Sequence, residues 1–404
     1  MTGAETTSPG IFIETASYQV KKKGQSAGGD VFLSQKSMAG RQIVSVLSDG
    51  LGSGVKANVL ASLTATMLSK FVLMDIPPGR AAEIIINSLP VCSERGLAYA
   101  TFTLVDARHD MSARIIEYEN PPLLILRNGK LLTVEKERIP IERKKKQTGP
   151  QNETLFLSSL TALPEDRIIF FSDGVTQAGM GGDAYPGGWG NQNAQNHIIN
   201  AVHANPSISA SALAQTLVQT AEYTDTNGPK DDISCAVVYF RKPRDLLIIT
   251  GPPFRPESDG EFVRFFNEFP GRKIISGGTT AQIIARGLGK TITNDTTAYS
   301  GDQPPAAKME GAELVCEGIL TLGAVAEELS GGAAGQSSKR SPSARIRELL
   351  LDSDRITFLV GTKINEVHQD PTMPVELEIR RNVVKHIATL LEEKYMKATY
   401  IKYI

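Results

Sequence analysis

The sequence is poor in the residues that build redox or zinc chemistry, with three cysteines, one tryptophan and five histidines in 404 residues. Cys92, Cys235 and Cys316 are widely spaced and odd in number, which excludes a disulfide framework and a thiolate zinc cluster and suits a reducing compartment. None of His109, His197, His203, His368 and His386 has metal-ligand spacing. No apolar run approaches the ~20 residues needed to cross a bilayer. The stretch from Met1 to Gly10 is small and polar rather than basic and then apolar, so a cytoplasmic location is expected. Neither sign of charge dominates: 43 Lys plus Arg face 44 Asp plus Glu. That balance gives no general pull toward nucleic acid or an anionic membrane, and neither is expected as a partner.

What is present is ordinary globular composition, 41% hydrophobic and 22% charged, in a chain long enough for two or three domains. Strand patterns cover Ile11 to Val20, Asp30 to Ser34 and Gln42 to Leu47, the last ending at Ser48-Asp49-Gly50. Val59, Leu63, Met67 and Phe71 recur at i+4 within a helix from Val55 to Met74, and Ala57, Ala61 and Ala65 permit close packing. A second helix is expected over Arg80 to Ser88. Four strands follow, Tyr99 to Val105, Arg114 to Tyr118, Leu123 to Arg127 and Lys130 to Val134, as an antiparallel meander whose last pair turns at Asn128-Gly129. Arg167 to Phe171 is a strand ending in Ser172-Asp173-Gly174, Ser209 to Tyr223 a helix, and Ile233 to Phe240 a closing strand.

At Lys242-Pro243-Arg244 the pattern changes. Strands (Leu246 to Thr250, Lys273 to Ile275, Arg355 to Val360, Thr399 to Ile404) now alternate with helices (Gly260 to Phe269, Thr280 to Gly287, Glu376 to Lys394), the pattern of a parallel α/β layer. Ser330 to Ser343 reads as a small-residue loop. Residues 1–242 and 243–404 are therefore expected to be separate domains, the second regulatory or binding a ligand or partner.

Four carboxylates in the first domain share a setting. Asp49 and Asp173 end apolar strands and precede glycine, Asp30 opens a strand behind Gly28-Gly29, and Asp231 with Asp232 precedes another. An Asp-Gly pair is commonly a turn, but strands of one fold could bring these acids to one edge. Like charges that close need cations between them, and an all-oxygen donor set suits magnesium or manganese. Glycine after Asp lets its own carbonyl approach an ion. The reaction class this suggests is hydrolysis by water activated between two ions.

Gly28-Gly29-Asp30, the stretch Ser48-Asp49-Gly50-Leu51-Gly52-Ser53-Gly54 with Lys56-Ala57, Phe171-Ser172-Asp173-Gly174-Val175 and Lys230-Asp231-Asp232-Ile233-Ser234 resemble the ordered motifs of the metal-dependent (type 2C) protein phosphatases, in their stage II sporulation branch. The resemblance spans about Ile11 to Arg241. It implies an α-β-β-α sandwich with two manganese or magnesium ions in a cleft, removing phosphate from phosphoserine or phosphothreonine of a protein. By that resemblance Asp49 bridges both ions, Asp30 and the Gly50 carbonyl hold one, and Asp173 and Asp231 the other. Asp30 and Asp49 are then the catalytic acids, and Asp232 stands behind the ligands. Relatives outside this branch often carry Glu and His where this chain has Gly29 and Leu51, which leaves the general acid unassigned. The implied partner is a phosphorylated regulator, an anti-sigma-factor antagonist for example, and a homodimer stays open. In this branch the helices after the bridging motif can act as a switch, so the stripe on Val55 to Met74 is expected in a regulated contact. The alternatives are a catalytically silent scaffold of the same fold and a small-molecule phosphohydrolase.

In the second domain Gly287-Leu288-Gly289-Lys290-Thr291 fails as a phosphate loop, because Ile284 stands where the first glycine belongs and the segment ends a helix. Ser276-Gly277-Gly278-Thr279-Thr280 is a strand-to-helix turn whose N–H groups could hold an anion, or one capped by Thr279 or Thr280. Glu366, His368 and Asp370 are placed at the carboxyl edge of the expected sheet. Arg143-Lys144-Lys145-Lys146 reads as a solvated loop able to steer an acidic phosphoprotein. Trp189, in a glycine-rich insertion, is either a flap over the substrate or local packing.

Overall fold

The structure, a computed structural model, describes residues 10–38, 40–52, 54–88, 100–141, 153–225, 228–294, 305–331, 341–363, 374–395 and 397–404. Cys92, the basic run at Arg143–Lys146, and Glu366, His368 and Asp370 lie outside the described residues, as do Ser53 and most of the small-residue segment before Ser343. The chain divides into two compact units, Met1–Lys242 and Pro243–Ile404.

The first unit contains two antiparallel sheets. One runs in the order β1 (Phe12–Val20), β11 (Ile233–Arg241), β10 (Arg167–Phe171), β6 (Leu124–Arg127), β7 (Lys130–Leu131). The other runs β2 (Asp30–Lys36), β3 (Gln42–Gly50), β4 (Ala100–Arg108), β5 (Ser112–Tyr118), β9 (Glu153–Thr161), β8 (Glu137–Ile141). Strand alternation serves two cores at once. Ile43 and Leu47 face the opposite sheet, where Phe170, Val238 and Phe240 meet them, while Val44 and Val46 face the helices α1 (Val55–Leu73) and α2 (Pro78–Ser88). Cys235, Val237 and Tyr239 on the other sheet face the helices α4 (Gly190–Ala204) and α5 (Ala210–Thr224). The result is the expected α-β-β-α sandwich.

Two expectations are corrected here and one open alternative is decided. First, α1 does not pack through all of its i+4 series: Met67 and Phe71 are half-buried against the core, but Val59 is 57% and Leu63 49% exposed, and the buried face is Ala57, Ala61, Thr64, Ala65, Leu68, Ser69 and Val72. The reason is distance. A Cβ on Gly50 would lie 2.1 Å from the Ala57 carbonyl oxygen, so the start of the helix rests almost backbone to backbone on the end of β3, where only small side chains such as Ala57 and Ala61 fit. Second, the four central strands are not one meander, because β5 pairs with β9 and β6 with β10, in different sheets. The Asn128-Gly129 hairpin does form, with positive φ at both residues (52° and 73°). Third, Trp189 is 7% exposed inside the core beneath α4, its ring edge-on to His197, and is packing rather than a flap.

The second unit is a seven-stranded sheet ordered β14 (Thr293–Asn294), β15 (Ala307–Met309), β16 (Ala312–Cys316), β13 (Arg272–Ser276), β12 (Asp245–Thr250), β17 (Arg355–Val360), β18 (Ala398–Tyr403). The five strands from β16 to β18 are parallel and the two at the other edge antiparallel, so the expected parallel sheet is mixed. Helices α6 (Asp259–Glu268) and α7 (Gly278–Leu288) pack one face. Helices α8 (Ile319–Ser330), α9 (Pro342–Leu351) and α10 (Pro374–Glu393) pack the other. Among the described residues no helix is long and apolar enough to cross a membrane.

Candidate active site

Asp30 is the first residue of β2 and Asp49 the penultimate residue of β3, and the antiparallel register makes them direct partners. Directly opposed residues project to the same face with their Cβ atoms ~5 Å apart. Gly50 follows at the close of the strand, which continues through Ser48-Asp49-Gly50 rather than stopping before it.

Asp173 and Asp231 come from the other sheet. Asp173 is the first residue of a short helix, α3 (Asp173–Gln177), directly after β10, and Asp231 lies just before β11. Their turns are stitched together: the Ser172 N–H donates to the Ser234 carbonyl (3.0 Å) and the Ser234 N–H to Ser172 Oγ (3.1 Å). A Cβ on Gly174 would lie 2.0 Å from the Asp232 carbonyl oxygen, so glycine is needed for this approach.

Asp232 joins the two sheets at this edge. One of its carboxylate oxygens accepts the Lys22 N–H (2.9 Å) and the other accepts the Gly29 N–H, which fixes the turn that presents Asp30. Gln19 Nε2 donates to the Asp30 carbonyl (3.1 Å) and Asn58 Nδ2 to the Gly28 carbonyl (2.7 Å), adding two more ties to that turn.

The electrostatics at the edge are those of crowded acids. Asp30 is 3% exposed, and its carboxyl is raised to about 7, chiefly by burial, against the lowering influence of the Ser234 and Ser172 hydroxyls and with the charges of Asp232 and Asp173 raising it further. The Asp49 carboxyl is raised to about 9, by burial first and then by the charges of Asp30, Asp173 and Asp231. Asp30 Oδ2 and Ser234 Oγ are buried and make no hydrogen bond. Asp173 Oδ2 instead accepts from Gln177 Nε2 (2.6 Å). With the side chains so placed, no three His, Cys, Asp or Glu among the described residues already form a metal-holding group. The donor set fits a hard divalent cation all the same: it is wholly oxygen, it includes a buried oxygen without a partner, and its own repulsion is what a cation would relieve.

Sequence reading did not single out Ser172, Ser234 or Gln177. Ser172 and Ser234 were visible only as neighbours of the Asp motifs, and the Gln177 contact follows its i+4 spacing from Asp173 once α3 is known.

The sequence matches the family model for stage II sporulation protein E (SpoIIE) over residues 39–241, half of the chain. A comparison with curated proteins gives no match. Similar solved structures include the phosphatase domain of the cell fate determinant SpoIIE from Bacillus subtilis, 19% identical, covering 58% of this chain and 94% of that one at a TM-score of 0.43. The RsbU and RsbW domains of a Mycobacterium tuberculosis protein are 19% identical, covering 64% and 68% at 0.43. RsbX in complex with magnesium is 16% identical, covering 56% and 95% at 0.38. The family-model match, over the sandwich that carries Asp49, Asp173 and Asp231, places this chain in the stage II sporulation protein E family of PP2C-type phosphatases.

Proposed function

We propose that the chain is a metal-dependent serine/threonine protein phosphatase acting in the cytoplasm on a phosphorylated regulatory protein, with residues 243–404 as a sensory or docking domain. The observation that carries the reading is the Asp30–Asp49 pair, in which the charge of buried Asp30 raises the affinity of Asp49 for a proton and one Asp30 oxygen lacks any hydrogen-bond partner. Asp30 precedes the stretch matched by the family model, so its assignment stands on this pairing.

In this reading Asp49 would serve both cations, Asp30 and the Gly50 carbonyl would help hold one, and Asp173 and Asp231 would hold the other. Bound manganese or magnesium supplies Lewis acidity that activates water and offsets the charge of the phosphoryl group. The chain's part is orientation. The ladder sets Asp30 opposite Asp49, the Ser172–Ser234 bonds join the turns that carry Asp173 and Asp231, and Asp232 holds the Gly29 turn at the same edge. Ionising the Asp30–Asp49 pair releases protons that the metal-free site retains, so loading is favoured at higher pH.

One observation favours the alternative of a catalytically silent scaffold: Asp173 is already engaged by Gln177. Manganese-dependent hydrolysis of p-nitrophenyl phosphate by the full chain separates the two readings. Activity that is lost with chelator and in both Asp49→Asn and Asp173→Asn supports the phosphatase. Activity that survives them removes the metal mechanism, and no activity with any divalent cation leaves the scaffold. Preference for a phosphorylated metabolite over a phosphopeptide would replace the protein substrate with a small molecule.

A further inference from the structure

The second unit has a cavity of about 720 Å³ at the carboxyl ends of β12, β13 and β16. In the parallel part of the sheet β12 is the first strand in sequence yet lies in the middle, between β13 and β17, so chain direction across the sheet reverses beside it. Crevices at such reversals are where open α/β sheets take their ligands.

Two helices begin at this cavity, and no side chain caps either one. The N-cap of α7 is Gly277 and that of α8 is Gly318, neither of which has a side chain to offer. Thr279 and Thr280 are therefore not the cap, as the sequence had allowed. The first N–H groups of both helices have no intrahelical acceptor and carry the positive end of the helix dipole. The two starts are held side by side. Gly277 N–H donates to the Cys316 carbonyl (2.9 Å), and Ser276 Oγ donates to the carbonyls of Glu317 (3.1 Å) and Gly318 (3.2 Å). A Cβ on Gly318 would be only 3.7 Å from the Gly277 Cα.

Two independent observations show that this is more than a pair of helix ends. Thr280 lines the cavity and is 1% exposed, and its buried hydroxyl has no hydrogen-bond partner. Its oxygen lies 3.2 Å from where a Gly277 Cβ would be, which aims it at the same turn. A buried hydroxyl left unpaired is destabilising, a cost that a ligand's acceptor would remove. Arg380 also lines the cavity: its guanidinium lies over Gly251, so close that a Cβ there would be 2.6 Å from its Nη1, and it donates to the Gly361 carbonyl at 3.4 Å. Lys363 adds a second cation. Glu317 also lines the cavity, and its Oε2 is shielded from solvent with no hydrogen-bond partner. A carboxylate can only accept, so beside an anion site it suits the hydroxyl groups of the body that carries the anion.

We propose that the second unit binds a phosphorylated, hydroxyl-bearing small molecule of the sugar phosphate or nucleotide class, with its phosphate at the paired starts of α7 and α8 facing Arg380 and its hydroxyls toward Glu317. The cavity volume falls within the range of small-molecule sites. Binding there is independent of phosphatase chemistry in the first unit.

Calorimetric titration of the full chain, stripped of divalent ions by chelator and dialysis, tests it with ribose 5-phosphate, inorganic phosphate and ribose. Saturable binding of ribose 5-phosphate, weaker binding of phosphate and none of ribose are expected. Thr280→Val removes an unpartnered hydroxyl, so its melting temperature should not fall, while affinity for ribose 5-phosphate should drop about tenfold or more. Gly278 has no atom within 4 Å of an added Cβ, so Gly278→Asp is accommodated and, by setting a carboxylate at the start of α7, should abolish binding. No saturable binding of either phosphate compound overturns the proposal, as does affinity unchanged in both variants. Equal affinity for phosphate and ribose 5-phosphate overturns it as well, since Glu317 would then contact nothing.

Discussion

Asp30 and Asp49 stand directly opposite each other across the β2–β3 ladder, at the one edge where the Asp232 side chain ties the Gly29 turn to the start of β11. Two carboxyls so placed cannot both ionise cheaply in the absence of a cation, and most of what can be tested about the first unit follows from that.

In the metal-free protein this pair makes stability fall as pH rises. A folded carboxyl whose proton is held to about 7 (Asp30) or about 9 (Asp49) binds a proton where the unfolded chain, at 3.8, has released it. Its contribution is therefore complete below about pH 4 and is lost as pH climbs toward 9. Asp30→Asn should be more stable than the parent at pH 9 without metal, by on the order of 3 kcal/mol, and should match it near pH 4. Urea melts of both proteins across this range read the difference, and a parent that gains on the variant with rising pH would contradict it.

Manganese should reverse that trend in the parent alone. Cation binding favours the ionised pair, so added metal should raise the melting temperature most at alkaline pH and little near pH 4. Asp49→Asn should lose most of the metal response together with activity. Melting curves with and without chelator measure both.

Gly50→Ala and Gly174→Ala should each destabilise the fold by about 2–3 kcal/mol or more. The added methyl would meet the Ala57 carbonyl oxygen at 2.1 Å in one case and the Asp232 carbonyl oxygen at 2.0 Å in the other. Both contacts are with backbone, which cannot step aside as a side chain would. Denaturant midpoints check this, with Gly187→Ala as the control, since nothing lies within 4 Å of a Cβ there.

The orientation of α1 separates two substitutions that the helix periodicity treats alike. Ala61→Leu should cost about 1–3 kcal/mol by forcing the helix off the sheet, whereas Leu63→Ser, on a side chain 49% exposed, should change stability by less than about 0.5 kcal/mol. If Leu63→Ser nevertheless alters specific activity in the full chain, the exposed Val59–Leu63 face takes part in a regulated contact.

The legible parts of the sequence were those with local causes. The Asn128-Gly129 hairpin and the bounds of β17 follow from turn chemistry and short-range pattern, and the structure has both. The four Asp motifs were legible because each sits at a strand end, three of them beside a glycine and the fourth, Asp231, beside Asp232. The partnership of β5 with β9 was not, because β9 carries no signal naming its neighbour. The same holds for the first half of α1: Val59 and Leu63 carry the apolar pattern, and the close approach of helix and sheet buries Ala57 and Ala61 instead.

By itself the sequence determined which acids are present, the order in which they come and that strand ends present them, since these depend on residue type and near neighbours. Only the tertiary structure decided that Asp30 faces Asp49, that Asp232 serves the backbone of Gly29 and Lys22, and that Thr280 and Arg380 border one cavity. Those relations join residues far apart in the chain, and their distances are set by the packing of whole sheets and helices rather than by any local preference.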